Sequence, residues 1–516
     1  MKTRIMAALA AAWMVLATAP VLAQAPAVSA QARAAAAEAG HVRVMVALRP
    51  RAAFLRPGLS PIKAVRMAQV EAVADSVLDA LPPGSHALRR RFTLVPALAL
   101  EVDARALEAL ERHPDVVAVD VDTGGSAGAA VAPDEASRVN RVAGLDALGL
   151  GGQGRKVAVI DSGVDIDHQD LAGRLVDEAC FCTLGGGSGC CPNQGATQFG
   201  PGSAFDDNGH GSNVAGIIVG EGGVAPRGAV PDAQLVAVKV LSADGRYCCA
   251  SDLVAAMDWV ATRHPDVAAV NLSLGSDDTF PGHCDASTAW TQSLAGAVDA
   301  LVANGAVVTV STGNQGNVQQ IQAPACIRDA LSVAATWDSD VGAVDDFLGC
   351  SEATTGARKP ACFSNRSPTT DLFAAGAFVT STGSTGGTSV YGGTSQAAPM
   401  AAACAVALAQ AAPVATVAQR MDAMVLSTTR INDPASGRVY PFLDCRDAAA
   451  LLNPAAIRPL PANGAQPLLP PRSGPAAASQ PALPAGAPRP DIDRGEGAAE
   501  GSVPRKQPRN TLSRQS

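Results

Sequence analysis

The chain has 516 residues, enough for more than one domain and a sizeable core. Apolar residues make up 47% but aromatics only 3%, so alanine, valine and leucine must fill most of that core. A formal charge of -8 argues against a nucleic-acid partner, and short basic clusters such as Arg89-Arg90-Arg91 read as solvated surface.

Residues 1–23 have the form of a secretory signal peptide. Lys2 and Arg4 precede an apolar run over 6–15 that is too short to span a bilayer, and Val21-Leu22-Ala23 fits a small-residue cleavage site. No cysteine follows Ala23, which argues against a lipid anchor. No later apolar run is long enough for a membrane span. The expected location is therefore outside the cytoplasm, extracellular or periplasmic.

Residues 41–122 read as a small α+β domain. Residues 41–48 are strand-like. Ser60-Pro61 has the form of a helix start, and Ile62, Val65, Val70, Val73, Val77 and Leu81 then recur near helical spacing. Residues 92–102 read as one strand. Asp103 caps a short helix with Leu107 and Leu110 on one face, and 117–121 is a last strand. Residues 123–136 are rich in Gly, Ala and Ser and read as a linker.

From Val139 onward, apolar runs at 157–160, 235–240, 267–272, 306–310 and 331–335 alternate with helical stretches at 214–220, 252–264 and 288–304. Continuous apolar runs suit strands buried on both faces, and the alternation predicts an α/β fold with a parallel sheet. Ligand sites of such sheets lie outside the carboxyl ends of the strands. Residues 455–516 are dominated by Pro, Ala, Gly, Ser and charge, and read as a tail with no core of its own.

Three stretches carry chemistry. Tyr391-Gly392-Gly393-Thr394-Ser395 is a glycine turn that runs into an apolar helix over 397–411, with Pro399 expected in its first turn. Alone, Ser395 reads as an N-capping serine. Asp161 closes the 157–160 strand, and His210 stands between Gly209 and Gly211. An imidazole can take a serine proton, and a carboxylate can fix the imidazole's tautomer. The chain order Asp, His, Ser differs from the chymotrypsin and α/β-hydrolase orders. Asn314, in Ser311-Thr312-Gly313-Asn314 at a strand end, is a candidate oxyanion donor; taken alone it reads as a turn asparagine.

The sequence resembles the subtilisin-like serine proteases, or subtilases. The blocks are VAVIDSGVDIDHQDL at 157–171, NGHGSNVAGII at 208–218 and GGTSQAAPMAA at 392–402. GVAPRGAVPDAQLVAVKVLSADG at 223–245, VNLSLGS at 270–276, STGNQGN at 311–317 and FSNRSPTTDLFAAG at 363–376 follow the family order, and the likeness runs over about 135–455. Departures are Ser212-Asn213 for the usual Thr-His, Gln396 for the common Met, Ala398 for the common Ser, and Ala375 for the usual proline.

The resemblance implies a doubly wound, mostly parallel sheet with helices on both faces over 137–454, preceded at 41–122 by a ferredoxin-like inhibitor propeptide. It implies Asp161, His210 and Ser395 as the triad, with Asn314 in the oxyanion hole. Ser273-Leu274-Gly275 is similar to the edge that pairs with the substrate backbone and walls the first specificity pocket. Self-cleavage is expected between about Val121 and Ser137. Expected partners are protein or peptide substrates and the chain's own propeptide, acting on a monomer. No cofactor is implied for the chemistry. Structural calcium is common in the family, with Asp165, Asp167 and Asp170 as candidates here, although 216–224 is short for the calcium loop of some members. Two alternatives remain: a binding module on an inactive protease fold, and an esterase using the same triad.

All 12 cysteines follow residue 179, an even number that suits disulfides in an oxidising compartment. Cys284 with Cys326 and Cys350 with Cys362 are candidate pairs; spacing leaves the rest open. Cys180, Cys182, Cys190 and Cys191 sit in a glycine-rich stretch that reads as a loop beside the cleft, with zinc as the rival reading.

Overall fold

The computed structural model describes residues 27–49, 63–123, 125–126, 136–427 and 429–457, all within one packed unit. The signal segment, the Ser60-Pro61 helix start, most of the linker and the tail beyond 457 lie outside the described residues.

The small domain runs α1 (Ala30–Ala39), β1 (Val42–Leu48), α2 (Lys63–Asp79), β2 (His86–Arg91), β3 (Ala97–Val102), α3 (Ala104–Arg112) and β4 (Val116–Val121). Its sheet order is β2-β3-β1-β4, antiparallel throughout. That is the split βαβ arrangement expected of a ferredoxin-like fold. Alternation along the strands divides the sheet's two faces. Val44, Val46, Leu98 and Leu100 join Val73, Val77, Leu107 and Leu110 in a core of the domain's own. Met45, Ala97 and Ala99 point the other way, into a core shared with the large domain.

Two expectations are corrected here. Residues 92–102 are not one strand: only 97–102 pair, and β2 lies before them at 86–91. Pro96 has no N–H for a ladder, and residues 92–96 instead form a loop, with Asp258 accepting from Thr93 N at 2.8 Å and Leu94 N at 2.7 Å. The Arg89-Arg90-Arg91 cluster is not all solvated surface. Arg90 is nearly buried, and its Nε donates to Asp252 at 2.9 Å. In a strand the middle residue of three faces opposite to its neighbours, so Arg90 points at the large domain while Arg89 and Arg91 pair with Glu101 and Asp75.

The chain then forms β5 (Gly125–Ser126), α4 (Ala136–Val139), β6 (Lys156–Asp161), β7 (Leu175–Phe181), β8 (Thr197–Phe199), α5 (His210–Val219), β9 (Gln234–Lys239), β10 (Arg246–Tyr247), α6 (Ala250–Arg263), β11 (Val267–Leu272), β12 (Gly275–Ser276), β13 (Thr279–Phe280), α7 (Ala289–Ala303) and β14 (Val307–Ser311). It continues with β15 (Ile321–Gln322), β16 (Leu331–Trp337), β17 (Val344–Phe347), β18 (Cys350–Glu352), β19 (Leu372–Ala377), β20 (Val379–Thr382), β21 (Thr388–Tyr391), α8 (Thr394–Ala411), α9 (Val417–Leu426), β22 (Arg430–Asp433), β23 (Arg438–Pro441) and α10 (Cys445–Leu452).

The main sheet has the order β19-β16-β14-β11-β6-β9-β7-β8. Every pairing is parallel except β7 with β8. Val157 and Val159 of β6 face the side holding α5 and α8, while Ala158 and Ile160 face α6 and α7. Both faces are covered, which is why these strands read as unbroken apolar runs. From β6 the chain goes to one side through β7 and β9, then to the other through β11, β14, β16 and β19. The crevice at the end of β6 is thus the topological switch point.

All 12 cysteines pair: 180–191, 182–190, 248–249, 284–326, 350–362 and 404–445. Both candidate pairs form. Disulfides also take the four sulfurs of the zinc reading. The 180–191 loop lies against the small domain: Arg90 donates to Ala196 O and to Thr197 Oγ1 beside it.

Candidate active site

Asp161 ends β6, Ser273 follows β11 and Asn314 follows β14. These strands are adjacent, so three separate stretches meet at the switch point. Asp161 is buried, and its Oδ1 accepts from Ser162 N at 2.7 Å and from His210 Nδ1 at 2.7 Å. A carboxylate can only accept, so Nδ1 carries the proton and Nε2 of neutral His210 keeps its lone pair. Nε2 has no hydrogen-bond partner among the described residues.

His210 is the first residue of α5, four residues before the expected start at 214. Gly209 precedes it with φ 101°, a left-handed conformation that glycine takes without strain. A Cβ on Gly211 would lie 2.1 Å from Gly163 O, so the histidine turn and the aspartate turn touch backbone to backbone. Asp206 organises this contact. It accepts from Ser162 Oγ at 2.8 Å, Gly209 N at 2.8 Å, Asn208 N at 3.0 Å, Ser212 N at 2.9 Å and Ser212 Oγ at 2.6 Å. Burial alone would raise its pKa, but these donors hold it below the usual carboxylate value. For His210, burial is the largest influence and opposes the cation; the charges of Asp161 and Asp206 and the Asp161 hydrogen bond outweigh it and raise the pKa. Lys239 is buried behind the site, donating to Ser162 O at 2.9 Å, Leu241 O at 2.8 Å and Asp207 Oδ1 at 2.6 Å.

Ser395 is the second residue of α8, where backbone N–H groups have no partner within the helix. The helix starts at Thr394, so Pro399 is its sixth residue rather than part of the first turn. Its missing N–H leaves the carbonyl of Ser395 without the usual i+4 donor. Ser273 Oγ fills that gap, donating to Ser395 O at 2.6 Å. In return, Ser395 Oγ donates to Ser273 O at 3.2 Å. Ser273 is therefore buried beneath the serine, Leu274 lines the cavity beside it, and Gly275 lies in the edge strand β12.

Asn314 Oδ1 accepts from Thr394 N and Thr394 Oγ1, both at 2.9 Å. That fixes the amide and leaves Nδ2 as the donor Asn314 can offer to the cavity it lines with Ser395. The sequence departures have partners. Gln396 Nε2 donates to Asn213 Oδ1 at 3.3 Å, so two of them meet behind the site. Ala375 N donates to Asn140 Oδ1 at 2.8 Å, a bond that a proline could not make.

The edge beside this cavity is occupied by the chain itself. β5 lies between β10 and β12, with Ser126 opposite both Arg246 and Gly275, and Gly125 opposite Tyr247 and Ser276. Nothing in the side chains of a Gly-Ser linker signals this, because the pairing is made by backbone.

The calcium candidates do not form a cradle. Asp170 accepts from the N–H groups of Gly223, Val224 and Ala225 at 2.7, 3.0 and 2.8 Å. Partial burial works against its charge, yet these donors hold its pKa low. Asp165 is taken by Asp167 N and Gly386 N. Among the described residues, Cys248, Cys249 and Asp252 are the one group of three His, Cys, Asp or Glu side chains whose ligand atoms lie close together, and both sulfurs are in a disulfide.

Among known proteins, the alkaline protease of Alkalihalobacillus alcalophilus is 32% identical over 250 residues, 48% of this chain and 57% of that protein. The chain thus spans a little over half the length of that relative. Subtilisin E of Bacillus subtilis is 29% identical over 352 residues, 67% of this chain and 79% of its own length. A crystal structure of a cold adapted subtilisin-like serine proteinase aligns with a TM-score of 0.42 at 24% identity, over 57% of this chain and 90% of that one. Residues 152–442, more than half of the chain, match the sequence model of the subtilase family. The chain belongs to the subtilase family.

Proposed function

We propose that the protein is a secreted serine endopeptidase made as a self-inhibited precursor. The observation that carries the reading is the Asp161–His210 pair with its free Nε2, on a helix α5 that the Gln396–Asn213 hydrogen bond ties to α8, where Ser395 lines one cavity with Asn314. Ser395 Oγ leaves Ser273 O and passes its proton to His210 Nε2 as it bonds to the peptide carbonyl carbon. The carbonyl oxygen gains the negative charge, and Asn314 Nδ2 and the Ser395 N–H stabilise it. His210 then returns the proton to the amide nitrogen, the C–N bond breaks, and an acyl-enzyme remains. Water repeats the cycle on the ester, giving its proton to His210 and releasing Ser395. Asp161 holds the tautomer and stabilises the imidazolium throughout.

Peptide substrates bind by adding a strand to β12, the position that β5 fills here. The small domain is the inhibitor, and its trailing segment is cut within 127–136, soon after Ser126. Six disulfides favour an oxidising compartment, and no helix among the described residues is long and apolar enough to cross a membrane. Covalent labelling by a fluorophosphonate tests the reading. The secreted, processed protein takes one label per chain and a Ser395→Ala variant takes none. A processed, folded wild type that stays unlabelled would refute the enzyme reading and bring a binding role forward.

A further inference from the structure

The cavity beside Ser395 has a wall that the triad does not explain. The β17–β18 hairpin turns at Leu348-Gly349, and Leu348 lines the cavity together with Leu274, Gly275 and Gln322. The hairpin is held from behind. Phe347 lies 4.8 Å from Phe378, 5.5 Å from Phe363 and 6.3 Å from Trp337, ring centre to ring centre. Glu352 accepts from Trp337 Nε1 at 3.1 Å and pairs with Lys359 at 2.7 Å. Cys350 is bonded to Cys362, next to Phe363. A turn with this many anchors presents its tip residue as a fixed surface.

Apart from Leu274, Leu348 and two glycines, the lining is polar but uncharged. Gln322 is buried, and its Nε2 donates to Ser276 O at 2.5 Å, which fixes the amide. Its Oε1 is turned away from that bond, between two glycine walls. A Cβ on Gly275 or on Gly313 would stand 2.3 Å from this oxygen. Side chains there would collide with it, so the two glycines and Gln322 form one fitted floor. The cavity encloses about 220 Å³, and no residue lining it carries a charge.

We propose that Leu348 and Gln322 determine which side chain the site accepts before the cleaved bond: an uncharged one with an apolar stem. The inference rests on Ser395 being the nucleophile. The stem packs between Leu274 and Leu348. A carboxylate at its end would meet the Gln322 oxygen acceptor to acceptor, and an ammonium would find no carboxylate; either would be desolvated without a partner.

The test uses the processed, fluorophosphonate-reactive enzyme and peptide amides that differ only at that residue: Met, Gln, Ala, Glu and Lys. Wild type is expected to favour Met and Gln over Glu and Lys by at least tenfold in kcat/KM. Leu348→Ala lowers the Met-to-Ala ratio at least fivefold, mainly through KM. Gln322→Glu raises the Lys-to-Met ratio at least tenfold, and this arm decides the matter if Leu348→Ala does not fold. A wild type that takes the label but prefers Glu or Lys overturns the inference and leaves the protease reading intact. So does a Leu348→Ala enzyme slowed equally on Met and Ala. A wild type that takes no label overturns both.

Discussion

The two domains that meet at α6 and α7 differ in how far each completes itself. The large sheet is covered on both faces by its own helices, with Val157 and Val159 on one side and Ala158 and Ile160 on the other. The small sheet covers only one face with its own helices, and its Met45, Ala97 and Ala99 complete a core that belongs to the large domain. The polar contacts repeat the asymmetry. Asp120 accepts from Ala289 N at the start of α7, and Asp122 from Ser251 N at the start of α6, where a helix N-terminus favours negative charge. Arg90 reaches the buried Asp252, and Arg43 donates to Ser251 Oγ at 2.7 Å. The small domain thus depends on the large one to cover one face of its sheet. The large domain holds all the candidate site residues and takes up a two-residue strand of the linker, β5, between its β10 and β12. That difference suits the inhibitor role proposed above for the small domain.

Several changes would sharpen or break this comparison. The largest effect is expected from Ser395→Ala, which lowers kcat by about 10⁶; steady-state hydrolysis of a peptide amide measures it, and substantial residual activity would place the chemistry elsewhere. Asn314→Ala should lower kcat by about a hundredfold or more with little change in KM. A loss of tenfold or less counts against the oxyanion role. Both belong to the large domain, and neither should disturb docking of the small one.

Arg90→Ala acts on the opposite side of the comparison. It leaves Asp252 buried with a weaker complement of donors, and docking should weaken by about 3 kcal/mol, roughly a hundredfold. After processing, the small domain should no longer co-elute with the large one, while kcat stays that of wild type. Unchanged co-elution would mean that the apolar face alone holds the domains together. A smaller effect concerns pH. The neutral form of His210 is the base, and its pKa is raised, so kcat/KM should climb with pH through a midpoint above the ordinary imidazole value of about 6.5. A midpoint below that value would show that burial outweighs Asp161. The smallest effect is that of a chelator. The Asp170 carboxylate is already taken by three N–H groups, so EDTA should leave Tm unchanged; a drop of several degrees would reveal a cation elsewhere.

Five strands of the main sheet, β6, β9, β11, β14 and β16, were readable because each carries a side-chain signal, an unbroken apolar run, whereas β7, β8 and β19 were not read. The candidate residues Asp161 and Asn314 follow such runs, and His210 and Ser395 stand by glycines at the starts of apolar helices. What else escaped lacked a side-chain signal. β5 pairs through the backbone of Gly125 and Ser126 and looks like any linker. Arg90 sits between two surface arginines, and only strand alternation separates it from them. Leu348 tops a short hairpin among acidic residues, with no periodicity to mark it. The partnership of Asn213 with Gln396 joins positions 183 residues apart. Pro96, in contrast, did hold a usable signal against one long strand over 92–102.

The most direct test of the precursor account is the intact mass of the secreted wild type beside Ser395→Ala, followed over time. The account predicts that the wild type divides once, at a bond within 127–136, while the variant stays whole and inactive. A variant cut at the same bond would assign the cleavage to another protease. A wild type that stays whole while hydrolysing peptides freely would contradict the inhibitory role of the small domain.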